Sequence, residues 1–500
     1  MVLFMKNKNL CLLFVLMLIL TSYAAAACGT TEQHSDSPPE EIGAGTEPGD
    51  DAEEVPAAVL DLPDVDMEGR VFTFLTSNWP EEAVWTVTDI LGEDELTGES
   101  LNDAIYLRNR EVEARFNLEI KEINVDSCND ATALLSRAVR AQEEAYDLWL
   151  SRLGVYQSVA AQGSLFDLHK LEHTNFSNPW WDSNSARELS IAGRLFAVCG
   201  DITTMDNAAT TAIVFNKGLL ADYGLADPYQ LVKSGEWTLD SFMGLVREVS
   251  LDLNGDGTMD ENDRFGFLYQ RDTLLTFFAG SGELFARKDE NDIPYLTITE
   301  EGAVNQMLRV LDMLYERDSC YNVMFLPGDF NIGMDLMFQN NQGLFMWLRM
   351  ANIVALRTMP TDFGILPTPK RDASQEHYTT DVNSWTGVAL TVPVTNTDYE
   401  NTGIFLEALA EASNRLVQPA YRDRLLDNII ARDDESLEML DIIFSNRTFD
   451  IGAIGRFGEL RDVLWETMTF NTNIASWLES RINRAERDIE RLIEKIEEFD

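Results

Sequence analysis

Between residues 70 and 500, apolar positions follow two alternating rhythms. Short unbroken or period-two runs predict strands, and spacings of three and four predict helices. Arg70 to Leu75 (RVFTFL) predicts a first strand, and Leu101 to Phe116 a helix with Ile105, Leu107, Val112 and Phe116 inward. Leu118 to Ile123 follows as a strand, Ala131 to Ala141 as a helix, and Tyr146 to Leu150 as a third strand. This β-α-β-α-β order predicts a parallel sheet covered by helices. A second set opens with a strand at Ala212 to Phe215 and a helix from Lys217 to Tyr223. Thr238 then reads as the N-cap of a helix with Asp240 in its first turn and Phe242, Leu245, Val246 and Val249 on one face. Another helix is marked by Val304, Met307, Leu308, Leu311 and Leu314. Two α/β sets without one continuous sheet predict two lobes. Near the end, Leu478, Ile482, Ala485, Ile489, Leu492, Ile496 and Phe499 alternate steps of four and three. That pattern fits a short coiled coil or one amphipathic helix docked on its own lobe. The run is barely long enough for the former.

The one long apolar run, Leu10 to Leu20, is too short to span a bilayer. Lys6 and Lys8 precede it and Ala24 to Ala27 follow, so residues 1–27 read as a secretory signal peptide. Ala25-Ala26-Ala27-Cys28-Gly29 resembles the bacterial lipobox, in which the cysteine receives a diacylglycerol, although Ala25 stands where Leu is usual. The other reading is an ordinary cleavage site beside an incidental cysteine. From Cys28 to about residue 68 the chain is rich in Pro, Gly, Ser, Thr, Asp and Glu, and no Lys or Arg occurs between Lys8 and Arg70. That composition predicts a disordered, self-repelling acidic tether, as a lipid-anchored domain needs.

The chain has 500 residues, which by the usual domain size suggests about three units. Its 38 Lys plus Arg against 85 Asp plus Glu give a net charge of −47. Such a chain repels phosphate backbones and anionic headgroups, so nucleic-acid binding is excluded and membrane contact is left to the N-terminal lipid. Cys128, Cys199 and Cys320 are too few and too far apart for a disulfide framework; free thiols, or one disulfide plus one thiol, are both open. His169 and His173 are spaced to share a helix face, but neither an HExxH pattern nor a nearby Cys completes a transition-metal site. Phosphate loops and Ser-centred elbows are also missing, so nothing nominates an enzyme.

Two features do carry chemistry. Asp252, Asn254, Asp256, Asp260 and Asp263 place oxygens at positions 1, 3, 5, 9 and 12 of a loop, with Gly257 at position 6 and the Thr258 carbonyl at position 7. This is the spacing of a calcium loop, with Asp263 where a Glu is usual. A single loop running into Arg264-Phe265-Gly266-Phe267 predicts a structural Ca2+ clip between helix and strand, not a sensor. The second feature is tryptophan beside polar residues: Asn78-Trp79-Pro80, Pro179-Trp180-Trp181-Asp182, Met346-Trp347 and Asn383-Ser384-Trp385. Aromatic faces flanked by amides and carboxylates suit sugars, whose C–H faces pack on rings while hydroxyls need polar partners.

Together these residues resemble the extracellular solute-binding proteins of family 1, lipoprotein receptors of ABC sugar importers in Gram-positive bacteria. The resemblance runs from about residue 70 to the end. It rests on Asn178-Pro-Trp-Trp-Asp182, Gly200-Asp201-Ile202, Ala212-Ile-Val-Phe-Asn-Lys217 with Leu219-Leu220, Trp237-Thr238, the calcium-type loop, Gly364-Ile-Leu-Pro-Thr-Pro369 and Ala431-Arg-Asp-Asp-Glu-Ser436. The Phe-Asn-Lys segment is similar to the maltose-binding branch in particular. The resemblance implies an α/β, two-lobed periplasmic-binding-protein-like fold of class II with a ligand cleft between the lobes. It implies three hinge crossings, placed near Gly200 to Asn207, Tyr378 to Asn383 and Arg432. Lobe one is then 69–202 plus 382–432, and lobe two 203–381 plus 433–500. The cleft residues implied are Asn78, Trp79, Trp181, Asp201, Trp347 and Trp385, with the segment around Arg152 behind them. The implied protein is a monomer that binds a carbohydrate and serves an ABC permease. A glycan-binding surface protein without a permease and a secreted carbohydrate-active enzyme are the other readings.

Overall fold

Two separate sheets organise the protein in this computed structural model, which describes residues 60–79, 85–93, 95–428, 434–466 and 473–498. Residues 1–27, Cys28 and most of the acidic segment lie outside the described residues, as does the third expected crossing at Arg432. In the first lobe β1 (Arg70–Ser77), β2 (Leu118–Val125) and β3 (Leu148–Arg152) alternate with α1 (Ser100–Phe116) and α2 (Cys128–Ala141). α3 (Leu153–Ala160) follows β3 directly. The chain enters the second sheet through β4 (Thr211–Asn216), passes α4 (Leu239–Arg247), β5 (Phe265–Tyr269), α5 (Glu301–Leu314) and β6 (Cys320–Asn322), then adds β7 (Gly343–Arg349) and β8 (Phe363–Leu366). It returns to the first sheet as β9 (Val388–Thr391), followed by α6 (Tyr399–Asn428) and, at the end, α7 (Ile474–Glu497).

The sheet orders are β9-β3-β1-β2 and β8-β4-β7-β5-β6. In the first, β1 is parallel to β2 and to β3, with Arg70 opposite Leu118 and Phe74 opposite Leu148, while β9 is antiparallel. In the second, β7, β5 and β6 are parallel and β4 opposes its neighbours β7 and β8. Each sheet has its own aromatic packing. Phe72 of β1 stacks on Phe405 of α6 at 4.2 Å, while Trp237, Phe242, Phe267 and Phe345 meet at 5.1–5.7 Å in the second lobe. Such pairs add about 0.5–1.5 kcal/mol each beyond area burial. Thr238 is the expected N-cap of α4, in a capping box with Ser241.

The lobes join where three short segments lie side by side. Thr380–Asp381 pairs in parallel with Arg447–Thr448, and Val382 bridges Thr210. Thr380–Asp381 lies within the segment Tyr378 to Asn383, and Thr210 lies just after Gly200 to Asn207. α6 packs on α1 in the first lobe and on residues 350–358 of the second. α7 docks on residues 457–465, which is the docked-helix reading.

Several local readings are corrected. Leu107 is 47% exposed, because Arg108 and Asn109 take the inward positions. Arg108 donates to the carbonyls of Asp89, Ile90 and Ile202, which makes a buried cation tolerable there. The strand expected to end at Leu150 runs on to Arg152. His169 lies in a single 3-10 turn and His173 has φ +66°, so they do not share a helix face. Cys128, Cys199 and Cys320 are free thiols.

Candidate functional site

In open α/β sheets the carboxyl ends of parallel strands border the ligand crevice. Here those ends deliver Asn78 and Trp79 after β1, Arg152 closing β3, Arg271 and Asp272 after β5, and Arg349 closing β7. Two of them bond to one turn, Asn383–Gly387: Arg152 through Thr386 and Asp272 through Asn383, with Trp79 against Arg152. Asn383 shapes it: its Oδ1 accepts the N–H groups of Trp385 (3.0 Å) and Thr386 (3.3 Å), and its Nδ2 donates to Asp272 across the lobe boundary (3.2 Å).

Two guanidiniums hold the turn. Arg152, 3% exposed, donates to the Thr386 carbonyl at 2.5 Å and to the Trp85 carbonyl, with its guanidinium 5.2 Å from the Trp79 ring. Arg461, 1% exposed, donates to Ser384 Oγ at 3.0 Å and stacks 3.7 Å from the Trp385 ring. A Cβ at Gly154 would lie 3.1 Å from the Ser384 carbonyl and 3.4 Å from Arg461, so the start of α3 approaches both closely. Burial pulls Arg152 and Arg461 down to about 10, which leaves both protonated at neutral pH. Among the described residues neither has an ion-pair partner. The Nε atoms of both, and the indole N–H of Trp385, are buried without a hydrogen-bond partner.

Acidic groups nearby are engaged. Asp272 pairs with Arg271 at 3.6 Å. Asp381 accepts from Thr211 Oγ1 at 2.5 Å, and burial pushes it up to about 6. Beneath lies Trp347, whose indole donates to Thr276 Oγ1 at 2.9 Å; Arg349 covers Trp85 at 4.5 Å and lies 5.8 Å from Trp347. A cavity of about 20 Å3 touches the turn at Asp381, Val382 and Ser384. It has room for a water and not for a sugar.

Of the six cleft residues expected, Trp385 lies in the turn and Trp79 against Arg152, Asn78 precedes Trp79 with its N–H on the Val125 carbonyl, and Trp347 is 1% exposed and offers no open face. Trp181 does not join them. It is buried in the first lobe, and the indoles of Trp180 and Trp181 donate to the two oxygens of Glu407 on α6 at 3.0 and 2.8 Å. Asn178 Nδ2 adds a third donor at 2.5 Å. Asp201 stays with that cluster: its N–H donates to the Trp180 carbonyl and its carboxylate accepts from Asn414 of α6 at 2.7 Å. Burial pushes Asp201 up to about 7. Sequence reasoning missed Arg461, Asp272 and Arg349. The last two follow strand ends and were findable by that rule. Arg461 had no sequence signal, because the 3-10 segment carrying it (Phe457–Trp465) has no strand or motif beside it.

In the 252–263 loop the glycines adopt the left-handed region, Gly255 at φ +73° and Gly257 at +83°. Asp252 accepts their N–H groups at 2.6 and 2.8 Å, which holds its carboxyl below the usual range. Asn254 accepts from Asp256 N–H, Asp256 from Thr258 N–H, and Asp260 from Asn262 N–H. Asp263, fully buried, accepts from Leu253 and Asp260 at 2.9 Å each. The all-oxygen donor set suits a hard cation. Among the described residues no three His, Cys, Asp or Glu side chains stand in a metal-holding arrangement.

No protein-family model and no curated protein matches the chain. Solved structures do. The chain is similar to an ABC substrate-binding protein from Listeria monocytogenes in complex with cycloalternan, at 12% identity and TM-score 0.50, covering 86% of this chain and 98% of that one. It is similar to a sugar transporter from Rhizobium etli in an open conformation, at 13% identity and TM-score 0.54, covering 85% and 99%. A cyclo/maltodextrin-binding protein complexed with maltotetraose aligns at 13% identity and TM-score 0.53, covering 86% and 97%. These likenesses establish the two-lobed fold.

Proposed function

We propose that this chain, whose fold is that of the extracellular solute-binding proteins of family 1, captures a carbohydrate between its lobes and delivers it to an ABC permease. The observation that carries this reading is the convergence of Trp79, Trp385, Arg152 and Arg461 on one interlobe turn, at the carboxyl ends of β1 and β3. The structural neighbours support it, since the solved complexes hold cycloalternan and maltotetraose. Hydroxyls leaving water need partners or cost about 1–3 kcal/mol each, and neither lobe alone encloses a sugar. Closure completes the site and presents a shape that a permease can read. The protein turns nothing over in this reading. Release of sugar product on incubation with oligosaccharides would favour the hydrolase reading instead. A thermal-shift screen of mono- and oligosaccharides tests the proposal: a ligand of the native state stabilises by about 2.7 kcal/mol at a hundredfold excess over Kd. Peptide or amino-acid binding without saccharide binding would overturn it.

Two subordinate proposals accompany this one. Acylation of Cys28 tethers the protein to the outer face of the membrane; among the described residues no helix is long and apolar enough to cross it. Cys28→Ser is expected to release the protein into the medium, and wild type without an acyl group by mass spectrometry would refute the anchor. The 252–263 loop takes one structural Ca2+, with Asp252, Asn254, Asp256, Asp260, Asp263 and the Thr258 carbonyl as ligands, clipping the end of α4 to β5.

A further inference from the structure

The two guanidiniums at the Asn383–Gly387 turn are poorly provided for. A guanidinium carries five N–H donors. Among the described residues Arg152 uses two, both to neutral carbonyls, and Arg461 uses one, to a hydroxyl. Other buried arginines fare differently. Arg447 lies between Asp182 and Asp206, the latter at 3.1 Å. Arg108 finds oxygens of Asn109, Ile202, Ser413, Asp89 and Ile90. An ion out of water without a counter-charge carries a penalty of several kcal/mol. This cleft therefore includes two buried guanidiniums with donors to spare and no ion pair among the described residues, a setting that an added anion would suit.

Nearby carboxylates reach Arg461 only through space: Asp462 pairs with Arg456 at 3.5 Å and Asp272 with Arg271 at 3.6 Å. Asp272 Oδ2 accepts from Asn383 while its Oδ1 is buried without a hydrogen-bond partner among the described residues, and Asp381 accepts from Thr211. The rest of the molecule is strongly acidic, at −47 overall. That distant charge is screened beyond about 8 Å at physiological salt, so the field inside the closed cleft is set by its own residues. Resting on the carbohydrate reading above, we propose that the ligand is an acidic saccharide, an oligosaccharide carrying uronate carboxylates. One carboxylate is received by Arg152 and Arg461 at the Asn383–Gly387 turn, with Trp79 and Trp385 flanking it. The planar fork of a guanidinium matches the planar carboxylate with two parallel bonds. The pairing exists only when the lobes are together, so the anion binds the closed form selectively and draws the protein toward it.

The test is calorimetric titration of the full mature protein at 150 mM salt with three oligosaccharides of equal length: a galacturonate trimer, its neutral galactose counterpart and a sulfated galactose trimer. The uronate is expected to bind at least about tenfold more tightly than the neutral sugar. Arg152→Gln and Arg461→Gln are each expected to reduce that preference about tenfold or more, while melting temperature holds or rises because a buried unpaired charge has been removed. Arg461→Lys keeps the charge and loses the fork, and is expected to fall between wild type and Arg461→Gln. Tight neutral-sugar binding with no uronate preference overturns the acidic ligand and leaves the carbohydrate reading standing. Preference for the sulfated trimer over the uronate overturns the carboxylate assignment. Melting temperatures that fall in both Gln variants with the uronate preference intact make the arginines purely structural. Binding of none of the three, in a protein that instead binds a peptide or an amino acid, defeats both readings.

Discussion

Two buried polar clusters face opposite fates. At α6, Glu407 is 2% exposed and receives the indoles of Trp180 and Trp181, the Asn178 amide and the Asn175 N–H. Its acceptor sites are filled from within the chain. At the Asn383–Gly387 turn, Arg152 and Arg461 are as deeply buried, yet their Nε atoms and the Trp385 indole find no partner among the described residues. Both clusters pair tryptophans with a charge. The first is complete and fixes the loop from Asn178 to Asp182 on its helix. The second is incomplete and stands where two lobes meet. A tryptophan beside polar residues in the sequence is thus ambiguous. What separates packing from recognition is whether the polar partners close the account internally.

The largest expected effect lies in the complete cluster. Glu407→Ala strands two indole N–H groups and an amide, and is expected to lower stability by about 3–5 kcal/mol in urea denaturation, with saccharide affinity per folded molecule unchanged. An affinity loss there would break the contrast. Next, Trp385→Ala is expected to weaken saccharide binding by about 1–3 kcal/mol. Trp181→Ala is expected to cost about 3–5 kcal/mol of stability and leave affinity intact. Calorimetry with parallel denaturation curves separates the two, and swapped outcomes would reassign the clusters.

A smaller effect sharpens the complete cluster. Burial raises Asp201 to about 7, so the native state holds a proton that the unfolded chain releases near the usual carboxylate pKa. Between roughly pH 4 and 7 the native state binds more protons, and stability falls as pH rises, by at most about 1.4 kcal/mol per pH unit from this group. Asp201→Asn is expected to flatten that slope in denaturation measured from pH 4 to 8. The smallest effect belongs to neither cluster. Chelation of Ca2+ is expected to lower the melting temperature by a few degrees through the 252–263 loop. Asp256→Ala is expected to mimic it, with ligand preference untouched.

Much of the fold was legible because periodicity reports burial. The strand at Arg70 and the helix from Leu101 to Phe116 appear within a residue or two of their expected starts. Thr238 caps its helix because the side-chain oxygen and Ser241 are adjacent in sequence. Where the pattern misled, a polar residue had taken an inward place. Arg108 displaced Leu107 because carbonyls outside its own helix, Asp89, Ile90 and the distant Ile202, accept its protons. The site was less legible for the same reason. Trp79 and Trp385 were visible as types, but Arg461 reaches the turn from 77 residues beyond Ser384, and nothing local records such a meeting.

The central claim is that a saccharide is held between the lobes by closure at this turn. Small-angle scattering of the mature protein, with and without saturating saccharide, tests it most directly. The account predicts a smaller radius of gyration with ligand, reached only at correspondingly higher saccharide concentration in Trp385→Ala. Saturable saccharide binding with an unchanged radius of gyration would contradict it.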